Sequence, residues 1–315
     1  GEWSSRPLKT MWKYRELLPI GEESRIVSLG EGGTKLHKCS KLGRRVGLRN
    51  LYVKDETKNP TGSFLDRGAS VLITMLSSAG VKGVCGTFKG NLGASLSAYA
   101  ARAGISCVVR LEGRVDVGKL YQMIAYGAEI LPPTAEEPCY PGLYSTHNAD
   151  PYMLEGERTI WFEVVESLDW REPDVLIAPV GSGGLISSVW KGVLEFRELG
   201  LPRGGEVKLA GVQPSACSPV VDALKPPDHP RRSRSTLALD LAFPRPERGP
   251  EAAKALRESG GWAVKVSDEE MLEASRLLAR EEGIFAEPAA ASTIACARRL
   301  LHEGELDPSD VVVCV

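Results

Sequence analysis

The sequence predicts an α/β fold built on mostly parallel, doubly wound sheets, and three observations carry that expectation. From about residue 50 onward, short runs rich in Val, Leu and Ile alternate with helical patterns, as βαβ units require. Those runs are apolar at nearly every position, the mark of strands covered on both faces. The chain has 315 residues, enough to bury a large core and ordinary for two domains or one large α/β unit.

In chain order, the first strands are expected at LYVKD (51–55), GVCGT (83–87) and SCVVRL (106–111), with LGASLSAYAARAG (92–104) as a helix between the second and third. DVLIAPV (174–180), VKLAGVQ (207–213), WAVKV (262–266) and VVVCV (311–315) continue the series. SDEEMLEASRLLAREEG (267–283) reads as a helix with Ser267 as N-cap, acids in its first turn and Gly283 as its stop. One segment breaks the rhythm: residues 225–250 are loaded with proline and arginine, which exclude a continuous helix or a central strand. It is expected on the surface, with its RRSR cluster (231–234) as a solvated loop without assigned function.

The formal net charge of −2 gives no global field for nucleic acid or membrane, so a small molecule is the expected partner. No basic-then-apolar leader opens the chain and no apolar run is long enough to cross a bilayer, so a cytoplasmic protein is expected. Seven scattered cysteines lack any C-x-x-C pair or zinc-ligand spacing, so no metal is expected and the thiols read as reduced and packed. His37, His147, His229 and His302 are dispersed, with no nucleophile constellation around them. Glu287 opens a helix at EPAAAS with Pro288 in the first turn, a charge that the helix dipole favours.

Open parallel sheets bind ligands beyond the carboxyl ends of their strands, so the loops there are the candidates for chemistry. They are ETKNPTGSFLDRG after the first strand, FKGNLGAS after the second and GSGGLISSVWKG after DVLIAPV. In the last, Gly181, Ser182, Gly183 and Gly184 leave bare N–H groups at a helix start, where the dipole favours an anion. This resembles a phosphate cup, and a tight turn that needs glycine is the simpler alternative. It lacks the G-x-G-x-x-G spacing of a dinucleotide fold and the lysine of a P-loop.

The order EGGTKL (31–36), YVKDETKNPTGSF-x-DRG (52–68), GN-x-x-AS-x-x-AYAARAGI (90–105), NADPYMLEGERT (148–159), PVGSGG (179–184), GVQP (211–214) and EEGIFAEPAAAS (281–292) resembles the threonine synthase family over nearly the whole chain. The resemblance implies the two-domain fold type II pyridoxal-phosphate architecture, similar to the tryptophan synthase β chain. It implies a large cofactor-phosphate domain (1–65 and 165–315) and a smaller inserted domain (66–164) carrying the asparagine loop, with the cofactor in the cleft between them. It further implies a homodimer, pyridoxal phosphate as cofactor, Gly181–Gly184 and Asn91 as cofactor-binding residues, and Ser63, Lys89, Gly90 and Asn91 as substrate-binding residues.

Three departures qualify the resemblance. Where the family reads NPTGSFKDRG, with a lysine that holds the cofactor as a Schiff base, this chain has Leu65, which can form no imine and move no proton. Where the family has a small hydroxyl residue before the G-N pair, in a loop whose amides receive the substrate carboxylate, this chain has Lys89, flanked by bulky Phe88 and Leu92. The sequence given ends at Val315, before the T-G-x-G segment whose hydroxyl meets the pyridine nitrogen in the family.

Lys89 is therefore the candidate catalytic amine, in place of the lysine lost at 65; an exposed loop lysine and a charge partner for a phosphate or carboxylate are the alternatives. Lys54 and Lys58, which precede the turn, rank behind it. The first functional reading is a threonine-synthase-like lyase acting on an amino acid such as O-phosphohomoserine. The alternative is a catalytically silent relative that binds pyridoxal phosphate or another anionic metabolite.

Overall fold

The apolar runs form strands wherever helices cover both faces of a sheet, and they collect into two separate sheets. The computed structural model describes residues 6–113, 116–135, 139–201, 205–226 and 235–315. The strands are β1 (Leu36–Lys38), β2 (Asn50–Lys54), β3 (Gly83–Phe88), β4 (Ser106–Leu111), β5 (Glu129–Leu131), β6 (Leu143–Ser145), β7 (Val175–Pro179), β8 (Lys208–Pro214), β9 (Trp262–Val266) and β10 (Val311–Cys314). The helices are α1 (Ser40–Val46), α2 (Leu65–Ser78), α3 (Gly90–Ala103), α4 (Val117–Ala125), α5 (Pro151–Glu157), α6 (Thr159–Ser167), α7 (Gly184–Glu198), α8 (Pro219–Leu224), α9 (Gly249–Glu258), α10 (Asp268–Glu282) and α11 (Pro288–His302).

One compact unit comprises residues 1–34 and 56–159, the other residues 35–55 and 160–315. The expected bounds assigned 1–65 together with 165–315; the compact units instead separate 1–34 and 56–65 from 35–55. The reason lies in side-chain pairing, since Gly32 and Thr34 bond to residues 56–67, as described below.

In the first unit a four-stranded, fully parallel sheet runs β5-β4-β3-β6. Its core joins Ala69, Leu72 and Ile73 of α2 to Val84, Phe88, Leu92, Leu96 and Tyr99. In the second unit the order is β1-β2-β10-β7-β8-β9, parallel apart from the β1–β2 pair. Leu51, Val53, Ile177, Val212, Val264 and Val312 contribute to its core. The seven expected strands all form, within about a residue at each end. Ser267 accepts from Glu270 N–H while the Glu270 carboxylate accepts from Ser267 N–H, a full capping box, and Gly283 closes α10 at φ 71°.

Two expectations are corrected. Cys85 and Cys139 form a disulfide, so not all seven cysteines are thiols; the other five are buried and free. Within 225–250, residues 227–234, including RRSR and His229, lie outside the described residues. The following stretch is not a surface loop: Thr236, Ala238, Leu241 and Phe243 are buried, because LALDLAF carries apolar residues that pack into the second unit.

Candidate active site

The NPTGSF loop of the first unit is fixed by buried charge. Pro60 and Gly62 shape its turn: Gly62 N–H donates to the Asn59 carbonyl, and φ at Gly62 is 80°, where a side chain would be strained. Arg67, with no exposed surface, grips the Glu56 carboxylate through both Nε and Nη2 at 2.7 Å and also donates to Thr159 Oγ1 and Thr34 Oγ1. Asn59 donates to Glu56 Oε2 at 2.7 Å and accepts from Gly32 N–H at 2.9 Å. Thr61 donates from its N–H and its hydroxyl to Asp66, each at 2.7 Å. Burial pushes the Asp66 carboxyl above the usual carboxylate range, against the opposing pull of those Thr61 bonds. The motifs EGGT, KNPTG and DRG thus form one bonded network.

Leu65 begins α2; its N–H donates to Ser63 Oγ at 3.2 Å, and its half-buried side chain packs against the apolar core of the first unit. Ser63 is buried. On the asparagine loop, Lys89 is half-buried and stands as the extended N-cap of α3 (φ −84°, ψ 179°), while Gly90 and Asn91 start the helix and are buried. Phe88 and Leu92 are core residues: a Cβ at Gly86 would lie 2.4 Å from the Phe88 ring, so that glycine makes room for the ring. Their bulk belongs to packing.

Of the other lysines near the NPTGSF loop, Lys54 and Lys119 are engaged and Lys58 is exposed. Lys54 forms a fully buried ion pair with Glu163 at 2.6 Å, within the second unit, and Lys58 is exposed. Lys119 of α4 was not singled out by the sequence; its ammonium donates to the Thr61 carbonyl at 2.7 Å. A partner 58 residues away leaves no signal in spacing.

In the second unit the glycine turn follows β7. Gly183 adopts φ 91° as the N-cap of α7, and among the described residues the N–H groups of Gly183, Leu185 and Ile186 meet no protein acceptor. Gly184 N–H approaches Ser182 Oγ at 3.4 Å. The turn is walled by the segment first expected as a functionless loop. A Cβ at Gly181 would lie 2.5 Å from the Asp240 carbonyl, and one at Gly183 would lie 2.5 Å from the Arg248 carbonyl, while Arg248 N–H donates to the Ser182 carbonyl at 2.8 Å. Gln213, fully buried, donates to the Val180 carbonyl at 3.1 Å and accepts from Val220 N–H at 2.9 Å, anchoring the residue just before the turn. Glu287 is the N-cap of α11, with Pro288 at its first position. His37 Nε2 lies 3.6 Å from Asp55, and His147 and His302 are exposed. No group of His, Cys, Asp or Glu suited to a metal occurs among the described residues.

A glycine turn opening a helix at the carboxyl end of a parallel strand is the kind of place where open α/β sheets receive an anionic group. The family model described as pyridoxal-phosphate dependent enzyme matches residues 27–315, and the chain belongs to that family. Its curated relatives narrow the placement to the threonine synthases. The chain is 42% identical to a threonine synthase of Methanocaldococcus jannaschii over 97% of its own length and 78% of the relative's. It is 36% identical to one of Mycobacterium tuberculosis over 96% of its length and 85% of the relative's. Among solved structures, serine racemase from Dictyostelium discoideum aligns at TM-score 0.72 and 23% identity, covering 90% of this chain and 91% of that one, which bears on the fold alone. A threonine deaminase from T.th. aligns at TM-score 0.69 and 26% identity, covering 89% and 90%. The fold type II architecture expected from the motifs is the one observed.

Proposed function

We propose that this chain is a threonine-synthase-type lyase that converts O-phosphohomoserine and water to threonine and phosphate with pyridoxal phosphate as cofactor, Lys89 supplying the amine that position 65 lacks. The observation that carries the reading is the glycine turn, whose N–H groups at Gly183, Leu185 and Ile186 open α7 without a protein acceptor among the described residues. The turn fits a phosphate group: it offers donors and the positive end of a 15-residue helix. Position 65 offers no amine, so the covalent anchor must come from another residue.

When bound, pyridoxal phosphate supplies the electron sink for charge developing at the substrate α-carbon. Gly181, Ser182, Gly183 and Gly184 would hold its phosphate. Asn91 would face its ring oxygen, while Ser63, Gly90 and Asn91 would orient the substrate carboxylate. Lys89, half-buried at the N-cap of α3, would take a proton from the α-carbon and return one. Support for Lys89 comes from its place at the N-cap of α3, directly before the buried Gly90 and Asn91. Identity of 42% over nearly the full chain favours the enzyme over the silent binder. The same reading carries a homodimer acting in the cytoplasm, with no nucleic-acid partner.

The test is phosphate release from O-phosphohomoserine by purified protein supplied with pyridoxal phosphate. Equimolar threonine and phosphate are expected, with loss of both in Lys89→Met. Absence of turnover in the unaltered protein would count against catalysis, and unchanged turnover in the variant would remove Lys89 from its role.

A further inference from the structure

Cysteine chemistry in this chain is unevenly distributed. Five thiols are buried and free; burial pushes Cys39 up to about 12 and Cys107 up to about 11, and it raises Cys296 and Cys314 as well, so the thiolates of these four are scarce. The remaining two are joined across 54 residues with Cα atoms 5.3 Å apart, an ordinary spacing for a disulfide. Cys85 is fully buried in the centre of β3, whereas Cys139 is half-exposed, outside any helix or strand. Cys139 is therefore the side of the pair that faces solvent more.

The position of Cys85 gives the pair its consequence. Its carbonyl accepts from Thr146 N–H at 3.0 Å, which sets the start of the 146–150 loop, and Thr146 Oγ1 in turn bonds Asp150, the N-cap of α5, at 2.9 Å. Three residues further along the same strand come Phe88 and then Lys89, Gly90 and Asn91. Cys85 thus pairs with the first residue after β6 and stands three residues before the end of β3. A place is also ready for the reduced form, since Cys85 Sγ lies 3.3 Å from the Tyr144 carbonyl, within reach for a thiol proton to be donated.

We propose that Cys85 and Cys139 form a reversible dithiol–disulfide site, and that the disulfide tightens the loops at 88–91 and 146–150. Low-molecular-weight thiols and disulfides are the reaction partners. The thiolate of a small thiol attacks the Cys139 sulfur, forming a mixed disulfide there; Cys85 leaves with the electron pair and takes up a proton. A second small thiolate attacks the small-molecule sulfur of that mixed disulfide and releases Cys139, which is protonated to the thiol. In total two small thiols become one small disulfide and the protein gains two thiols; oxidation is the reverse. The redox site stands without the cofactor and does not rest on the proposed function.

The experiment incubates the full chain in glutathione buffers of varied oxidised-to-reduced ratio, quenches with acid, alkylates under denaturing conditions and counts thiols by mass. In parallel, amide hydrogen exchange is followed in the native protein. Five thiols in the oxidised form and seven in the reduced form are expected, reversibly, matching the five free cysteines and one disulfide. Exchange at peptides covering 88–92 and 146–150 should rise roughly tenfold or more on reduction, with α7 unaffected. Cys139→Ser, a change at a half-exposed position, should exchange like the reduced form at every ratio. A thiol count that does not respond to excess reduced glutathione overturns the site, and equal exchange in the two forms overturns the coupling. Both readouts are independent of activity, so failure of the catalytic proposal would leave them standing.

Discussion

Replacing Arg67 by Met removes the guanidinium that neutralises Glu56 in the interior of the first unit. Two charge-assisted bonds at 2.7 Å and the bonds to Thr34 and Thr159 go with it, and the Glu56 carboxylate keeps only Asn59 and Thr34 among the partners described above. Breaking one side of a buried ion pair costs about 3–5 kcal/mol, because the surviving charge stays desolvated. For a unit of this size that corresponds to a fall in melting temperature of roughly 10 °C or more. Calorimetry on Arg67→Met, Glu56→Gln and the double variant checks this. The double variant should recover at least about 2 kcal/mol relative to the sum of the single losses, since no uncompensated charge remains. Additive losses, or a cost under about 1 kcal/mol for Arg67→Met, would refute the claim that this pair holds the NPTGSF loop.

The remaining predictions concern the glycine turn, a tyrosine and position 65. Gly183→Asp forces a side chain into φ 91° against the Arg248 carbonyl and places a negative charge at the start of α7, so retention of pyridoxal phosphate in equilibrium dialysis should be lost. Burial and the neighbouring Asp150 push the Tyr144 hydroxyl up to about 12 from its ordinary value of 10.0. Its folded value lies above the unfolded one, so the stability it contributes is complete below pH about 10 and is lost as pH rises through about 12. The urea midpoint should fall as pH rises across that window in the unaltered protein and fall less in Tyr144→Phe. Leu65→Lys returns an amine to the start of α2, and the variant should turn yellow with pyridoxal phosphate and be fixed by borohydride; a colourless variant would show that the pocket has changed beyond one residue.

The seven longer strands were legible because β-rich runs buried on both faces are apolar throughout, and α10 was legible because its cap, acids and stop agree. The strands β1, β5 and β6 have three residues each, too few to show a period, and their pairing is decided by neighbours distant in sequence. The glycine turn could be read from bare N–H groups before a helix, but its wall could not. Proline and arginine dominate residues 225–250, while the residues that matter there are Asp240 and Arg248, acting through backbone carbonyls that carry no residue signature. Gln213 likewise acts through geometry, as a buried amide tied to the Val180 carbonyl and to the start of α8. The Cys85–Cys139 pair was invisible because connectivity among seven cysteines does not follow from spacing. Leu65 was conspicuous for the opposite reason, as an apolar residue in a motif whose Asn59, Thr61, Asp66 and Arg67 are all tied by side-chain hydrogen bonds.

The most direct test of the whole account is peptide mapping after borohydride reduction of the unaltered protein with pyridoxal phosphate. A pyridoxyl label on the peptide containing Lys89, absent when Gly183→Asp abolishes cofactor retention, is the predicted result. A label at Lys54, Lys58 or Lys119 instead, or no label at saturating cofactor, would contradict the proposal that Lys89 is the amine that engages the cofactor.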